Sequence, residues 1–288
     1  MTDLPPADLP PADLPRTDRP PTGLPSPSPP TPGMRPGGPR PPFRTVPLRL
    51  LIPNLVTLLA LCLGLTAIRF AFEGSIEWAV SAIAAAAVLD GLDGRIARAL
   101  KGTSRFGAEL DSLADFVDFG VAPGVVLYVA GLDTMKSLGW LTILVFAIAC
   151  ALRLARFNVT LEDPSTAAWR KHFFVGMPAP AGAIVGLLPV YLRLLFSDAS
   201  TPPHFVGVEI AYVLAVALLM ASRVPHFSGK SIGRVPQAYV APVLIGLAAA
   251  LLLIVNFPLQ SLVALSIAYL AAIPWSVRRY LAMARDNG

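Results

Sequence analysis

The chain has 288 residues, 55% of them hydrophobic and only 14% charged, with a mean hydropathy of +0.63. So large an apolar excess excludes a water-soluble globular domain and points to an integral protein of the lipid bilayer. The formal net charge of +5 is spread between apolar segments rather than gathered in one patch, so no nucleic-acid partner is expected.

Residues 1–45 differ in kind from the rest. They are proline-dense, echo themselves in LPPADLPPADLP and lack apolar periodicity. Such a segment buries too little surface to offset the entropy of ordering it, so a disordered tail leaning to polyproline II is expected. It has no basic n-region followed by an apolar h-region and cleavage site, so no signal peptide is expected. Residues 46–288 form the membrane domain.

From Leu50 onward, eight apolar segments are long enough to cross about 30 Å of hydrocarbon, allowing for tilt and interfacial ends. They fall at 51–72, 76–98, 110–131, 138–157, 177–197, 206–222, 236–256 and 258–279. The expected fold is therefore an all-α polytopic membrane bundle of about eight transmembrane helices. Cys62 and Cys150 lie inside apolar runs without a partner motif and read as small core or lipid-facing residues.

Basic residues cluster at alternate connections. Arg35, Arg40, Arg44 and Arg49 precede the first segment, and Arg95, Arg98, Lys101 and Arg105 follow the second. Arg153, Arg156, Arg170 and Lys171 follow the fourth, Arg223, Lys230 and Arg234 the sixth, and Arg278, Arg279 and Arg285 close the chain. The other connections hold only Arg69, Lys136 and Arg193. By the positive-inside rule both termini and the connection after the second segment are cytoplasmic, in the cell (inner) membrane. Trp78, Trp140 and Trp275 fall near segment ends, as interfacial anchors do.

Acids break into this apolar pattern at one place. Asp90 and Asp93 close the second segment, and Asp111 and Asp115 open the third. Spacings of three and four put each pair on one helical face, so two adjoining helix ends can present four carboxylates to each other. Each carboxylate costs about 2.5–3.5 kcal/mol at the centre of a membrane helix, so the four must lie near the interface, face a wet cavity or be neutralised. Neutralisation by Arg95, Arg98, Lys101 and Arg105 would make a plain ion-pair cluster, but it leaves the paired spacing and the glycines at 94 and 107 unexplained. Hard divalent cations such as Mg2+ or Mn2+ take oxygen ligands, and carboxylates from two helices can hold two of them while leaving positions open for phosphate oxygens. Gly94 and the small Ala97 would let a nucleotide or its phosphates approach the helix closely.

A rival reading is a divalent-cation transporter or channel, which would spread acids through the bilayer depth and repeat them in a second half of the chain. Here the four cluster at one end, with no second copy. Asn54 and Thr57 in IPNLVT stand three apart on the first segment and are candidates to contact a nucleotide; Pro53 and Asn54 also read as ordinary helix-start residues. His172, His204 and His226 lack ligand spacing, and no metal is assigned to them. Gly120 and Gly124 form a G-x-x-x-G that permits close helix packing within the chain or between chains.

The spacing D-x2-D-G-x2-A-R-x8-G-x3-D-x3-D, met by Asp90, Asp93, Gly94, Ala97, Arg98, Gly107, Asp111 and Asp115, resembles the signature of the CDP-alcohol phosphotransferase family. These membrane enzymes join an alcohol to a phosphatidyl or similar group with loss of CMP. The resemblance implies that Asp90, Asp93, Asp111 and Asp115 are metal ligands for two divalent ions, with Asp115 also placed as the catalytic base. It implies contacts to CDP-diacylglycerol by Asn54, Thr57, Gly94, Ala97, Arg98 and Gly107, and it implies a homodimer. ALRLARFN at 151–158, VGMPAPAGA at 175–183 and SRVPHFSGK at 222–230 are further similar to one branch, the membrane-embedded bacterial phosphatidylserine synthases. That branch implies transfer of the phosphatidyl group from CDP-diacylglycerol to serine. Arg153, Arg156 and Arg223 are candidates to hold serine, with anionic lipid headgroups as their other reading. Glycerol 3-phosphate, inositol phosphate or choline remain as alternative acceptors for the same chemistry.

Overall fold

The computed structural model describes residues 48–100, 104–161, 173–196, 203–222, 225–227 and 240–286. The proline-dense stretch, Lys101, Arg223, Ser228 and Lys230 lie outside the described residues. Contacts divide the chain into Met1–Thr45 and Val46–Gly288, and everything described belongs to the second unit.

That unit is helical. In chain order come α1 (Leu48–Phe72), α2 (Ile76–Ala99), α3 (Arg105–Phe116), a π-helical turn (Val117–Val121), α4 (Ala122–Ala130) and a 3-10 turn (Leu132–Met135). Then follow α5 (Lys136–Leu161), β1 (Phe173–Val175), α6 (Ala179–Gly186), α7 (Leu188–Leu195), α8 (Pro203–Ala221), β2 (Pro225–Phe227), α9 (Val240–Asn256) and α10 (Pro258–Asp286). With α3–α4 and α6–α7 each taken as one interrupted rod, these are the eight apolar segments expected from sequence.

Among the described residues, four stretches are long and apolar enough to cross a membrane: Leu51–Phe72, Arg105–Ala130, Leu132–Val159 and Pro258–Arg279. Ala179–Leu195, Phe205–Ala221 and Pro242–Asn256 are apolar but shorter. α2 has the length, but its last three turns carry Asp90, Asp93, Arg95 and Arg98. Large apolar side chains such as Leu55, Leu59, Ile148, Leu218 and Ile245 stand exposed on the outside of the bundle, as lipid-facing residues do.

Small residues let the first two helices meet closely. Ala67 and Ala71 of α1 and Ala79, Ala82 and Ala86 of α2 are buried, the latter at three- and four-residue intervals that keep them on one face. The π-helical turn, α4 and α5 pack against this pair through Phe119, Val126 and Phe146, all fully buried. Gly120 faces Cys150 and Gly124 faces Ile143, so the G-x-x-x-G serves packing against α5 within the chain. A Cβ at Gly120 would stand 3.1 Å from that of Cys150.

The start of α1 departs from the expectation. The helix begins at Leu48, so Pro53 lies inside it and Asn54 is a helical residue rather than a cap. α3 begins earlier than the apolar segment because the Ser104 hydroxyl accepts a hydrogen bond from the Gly107 N–H at 2.9 Å. Far along the chain, β1 and β2 pair antiparallel, Phe174 opposite His226, and tie the α5–α6 connection to the one after α8. His226 is therefore a strand residue and His204 a residue of α8. Gly176 enables this junction: its φ is +83°, and a Cβ there would meet the Ser222 carbonyl oxygen at 2.9 Å.

Candidate metal and nucleotide site

Asp90, Asp93 and Asp111 converge. One carboxylate oxygen from each lies within 4.8 Å of the others, with Asp93 buried and the other two half-buried. α2 delivers the first two from its penultimate turns, and α3, started at Arg105 by the Ser104 cap, delivers the third from its second turn. Each such carboxylate pair repels by roughly 3 kcal/mol at an effective dielectric constant near 20. An all-oxygen, acidic donor set with half-open members suits a hard divalent cation, and the aspartate cluster fits one on that chemistry.

Asp115 stands one turn further along α3. Its carboxyl group approaches that of Asp90, and the Arg153 guanidinium is near enough for its charge to act on both. Arg153 is 9% exposed, faces Asp115, Asp90 and Tyr269, and sits 5.3 Å from the centre of the Phe157 ring. It thus faces the aspartates rather than open water, and α10 approaches the site through Tyr269.

Thr57 is buried, and its hydroxyl donates to Asp93 Oδ2 at 2.9 Å while lying 3.2 Å from the Pro53 carbonyl oxygen. Its nearest polar partner is therefore a cluster carboxylate. Asn54, one turn earlier, packs on the start of α3, where a Cβ at Gly107 would stand 2.8 Å from Asn54 Oδ1 and 3.1 Å from Ser104 Oγ. Gly107 is what lets these two helices meet.

Beside Gly94 the space is open. A Cβ built there would meet only Arg98 Nη1, at 3.6 Å. Arg98 is exposed in the last turn of α2, four residues on, so its guanidinium folds back along the same face, with Ala97 half-buried beside it. This leaves a cationic, uncrowded approach next to the carboxylates.

Arg156 is half-buried at the end of α5, where its Nε donates to the Leu152 carbonyl oxygen at 3.2 Å. Asn158 Nδ2 donates to Ser112 Oγ at 2.9 Å, fastening α5 to the turn of α3 that carries Asp111. Asp118 is fully buried in the π-helical turn against Gly64 of α1, and its Oδ1 has no hydrogen-bond partner among the described residues. Neither the Asn158 link nor the π-helical turn has a signal in the sequence, because each depends on how α1, α3 and α5 are brought together.

The family model described as CDP-alcohol phosphatidyltransferase matches residues 50–221. A Mycobacterium leprae protein named CDP-diacylglycerol–serine O-phosphatidyltransferase is 43% identical over 244 residues, covering 83% of this chain and 79% of its own. Proteins of the same name from Helicobacter pylori and Methanocaldococcus jannaschii are 37% and 32% identical. Each covers 62% of this chain, and 73% and 86% of its own length respectively.

Proposed function

The chain belongs to the CDP-alcohol phosphatidyltransferase family, and on that footing we propose that it transfers the phosphatidyl group of CDP-diacylglycerol to the hydroxyl of serine, giving phosphatidylserine and CMP. The observation that carries the chemistry is the meeting of Asp90, Asp93 and Asp111 within 4.8 Å at the junction of two helices. The acceptor rests on relatives as similar as 43% that bear the serine enzyme's name.

In this reading Asp90, Asp93, Asp111 and Asp115 hold two divalent ions, Mg2+ or Mn2+. Such ions, when bound, offset the charge of the diphosphate and favour departure of CMP. The residues of the chain do the rest. Asn54, Gly107, Gly94 and Ala97 shape the space for the cytidine and its phosphates, and Arg98 draws the phosphate charge to the open side of α2. Thr57, first a candidate for the nucleotide, holds the Asp93 carboxylate in place.

Asp115 takes the proton from the serine hydroxyl as that oxygen attacks the phosphorus bearing diacylglycerol. The new P–O bond forms as the bond to CMP breaks, and CMP leaves with the electron pair. Arg153, Arg156 and Arg223 are the groups assigned to the serine carboxylate, and the placement of Arg153 beside Asp115 supports the first of them. The diacylglycerol tails stay in the bilayer throughout.

The same reading takes in a homodimer in the inner membrane, with both termini and the aspartates facing the cytoplasm. The alternation of basic residues supports the sidedness, and the family resemblance supports the dimer. A Pro-rich tail over 1–45 and a catalytic domain over 46–288 complete it.

The test is CMP release by the purified protein from CDP-diacylglycerol with Mn2+ or Mg2+, offered serine, glycerol 3-phosphate, inositol phosphate or choline in parallel, against a chelated control. Metal-dependent release with serine alone is expected. Release with another alcohol instead would overturn the acceptor, and release with none would overturn the reaction.

A further inference from the structure

A second feature lies at the other end of the bundle. Lys136 opens α5, and Arg153 near the aspartates lies seventeen residues further on, about 25 Å along the helix. Around Lys136 there is an open groove of about 540 Å3 lined by Tyr128, Lys136, Ser137, Trp140, Leu141 and Leu144. The groove is shallow and open along the outside of the bundle, where a lipid rather than an enclosed small molecule would lie.

Its lining is graded in polarity. Lys136 and Ser137 form the polar end, the Tyr128 and Trp140 rings meet edge to face at 5.5 Å in the middle, and Leu141 and Leu144 continue along the outward face of α5. This order, from cation and hydroxyl through aromatic rings to aliphatic side chains, follows a lipid from headgroup to acyl chain.

Charge singles out the same place. The sequence puts three basic residues at this end, and two of them are neutralised: Arg69 bonds Glu73 at 2.7 Å, and Arg193 bonds Glu209 at 2.6 Å. Lys136 is exposed and makes no ion pair among the described residues, although Asp133 stands only three residues before it. The first turn of α5 carries no acid. The 3-10 turn packs its Leu132 carbonyl on Gly139, where no Cβ fits, and Lys136 follows with a φ of +41° that fixes how it leaves the turn.

We propose that the groove formed by Lys136, Ser137, Tyr128 and Trp140 binds the headgroup phosphate of an anionic phospholipid in the leaflet opposite the aspartate cluster. Lys136 Nζ pairs with the phosphate, Ser137 donates its hydroxyl, and one acyl chain lies along Leu141 and Leu144. The site is independent of the transfer reaction and holds a lipid that is not consumed.

The test places the full chain in nanodiscs with phosphatidylglycerol carrying a diazirine near the glycerol end of one acyl chain, and maps photocrosslinks by mass spectrometry. Wild type is expected to crosslink within residues 128–144, and Lys136→Gln to do so about fivefold less, the loss of about 1 kcal/mol for one basic residue at a membrane surface. Lys136→Arg is expected to keep the signal. Unlabelled phosphatidylglycerol should compete, while phosphatidylcholine and inorganic phosphate should not. Equal crosslinking in wild type and Lys136→Gln would overturn the proposal, as would equal competition by phosphatidylcholine. So would displacement by inorganic phosphate alone.

Discussion

Thr57 on α1 donates a hydrogen bond of 2.9 Å to Asp93 on α2, thirty-six residues away in sequence. With Thr57 buried and Asp93 buried, the bond fixes one carboxylate of the cluster from outside the cluster itself. Groups that orient a metal's ligands in this way are typically worth ten- to a hundredfold in metal affinity or activity. Thr57→Val keeps the side-chain shape and removes the donor. The expected result is a rise of at least tenfold in the Mn2+ concentration needed for half-maximal CMP release, with Thr57→Ser near wild type. An unchanged metal requirement in Thr57→Val would return Thr57 to the nucleotide.

Asp111 and Asp115 open the second half of the cluster from α3. Asp111→Asn removes a charge from the trio within 4.8 Å, and Asp115→Asn removes the group proposed to accept the serine proton. Both substitutions are nearly isosteric, in half-buried positions. Each is expected to lower turnover by a hundredfold or more while the protein elutes in detergent as wild type does. Near-full activity in either would sink the role given to that residue.

The aspartate pairs, the small residues beside them and the helical segments were legible in the sequence because membrane helices have a strong local signal and one-sided spacing fixes which residues share a face. What the sequence left open is how helices meet. Asn54 and Thr57 stand three apart on α1 and looked alike as nucleotide contacts, yet one packs on Gly107 of α3 and the other bonds Asp93 of α2. Pro53 and Asn54 read equally as a helix start, but the helix runs on to Leu48. Asp118 gave no sign of lying in a π-helical turn against Gly64, since that depends on the approach of α1 to the α3–α4 rod.

Gly107 offers a test of the α1–α3 contact. A Cβ there would stand 2.8 Å from Asn54 Oδ1, too close to be accommodated without moving that side chain. Gly107→Ala is therefore expected to displace Asn54 and raise KM for CDP-diacylglycerol several-fold, with a smaller effect on KM for serine. Asn54→Ala should raise the same constant, and the double variant should add little more, because both changes act on one contact. Independent, additive effects would mean that Asn54 and Gly107 do not act together.

The two roles proposed for Arg153, countercharge to the aspartates and contact for serine, are separable by substitution. It is buried between Asp115, Asp90 and Tyr269 and packs over Phe157, so part of its worth is that of a countercharge inside the bundle. Losing that countercharge leaves the buried carboxylates less compensated and weakens the bundle. Arg153→Met is expected to lower the Tm in detergent by several degrees and to abolish CMP release. Arg153→Lys keeps the charge but loses the planar fork, so it should hold most of the Tm while KM for serine rises. If Arg153→Met kept the wild-type Tm and only weakened serine, the guanidinium would serve the substrate alone. If Arg153→Lys lost Tm without any change in KM for serine, it would serve the aspartates alone.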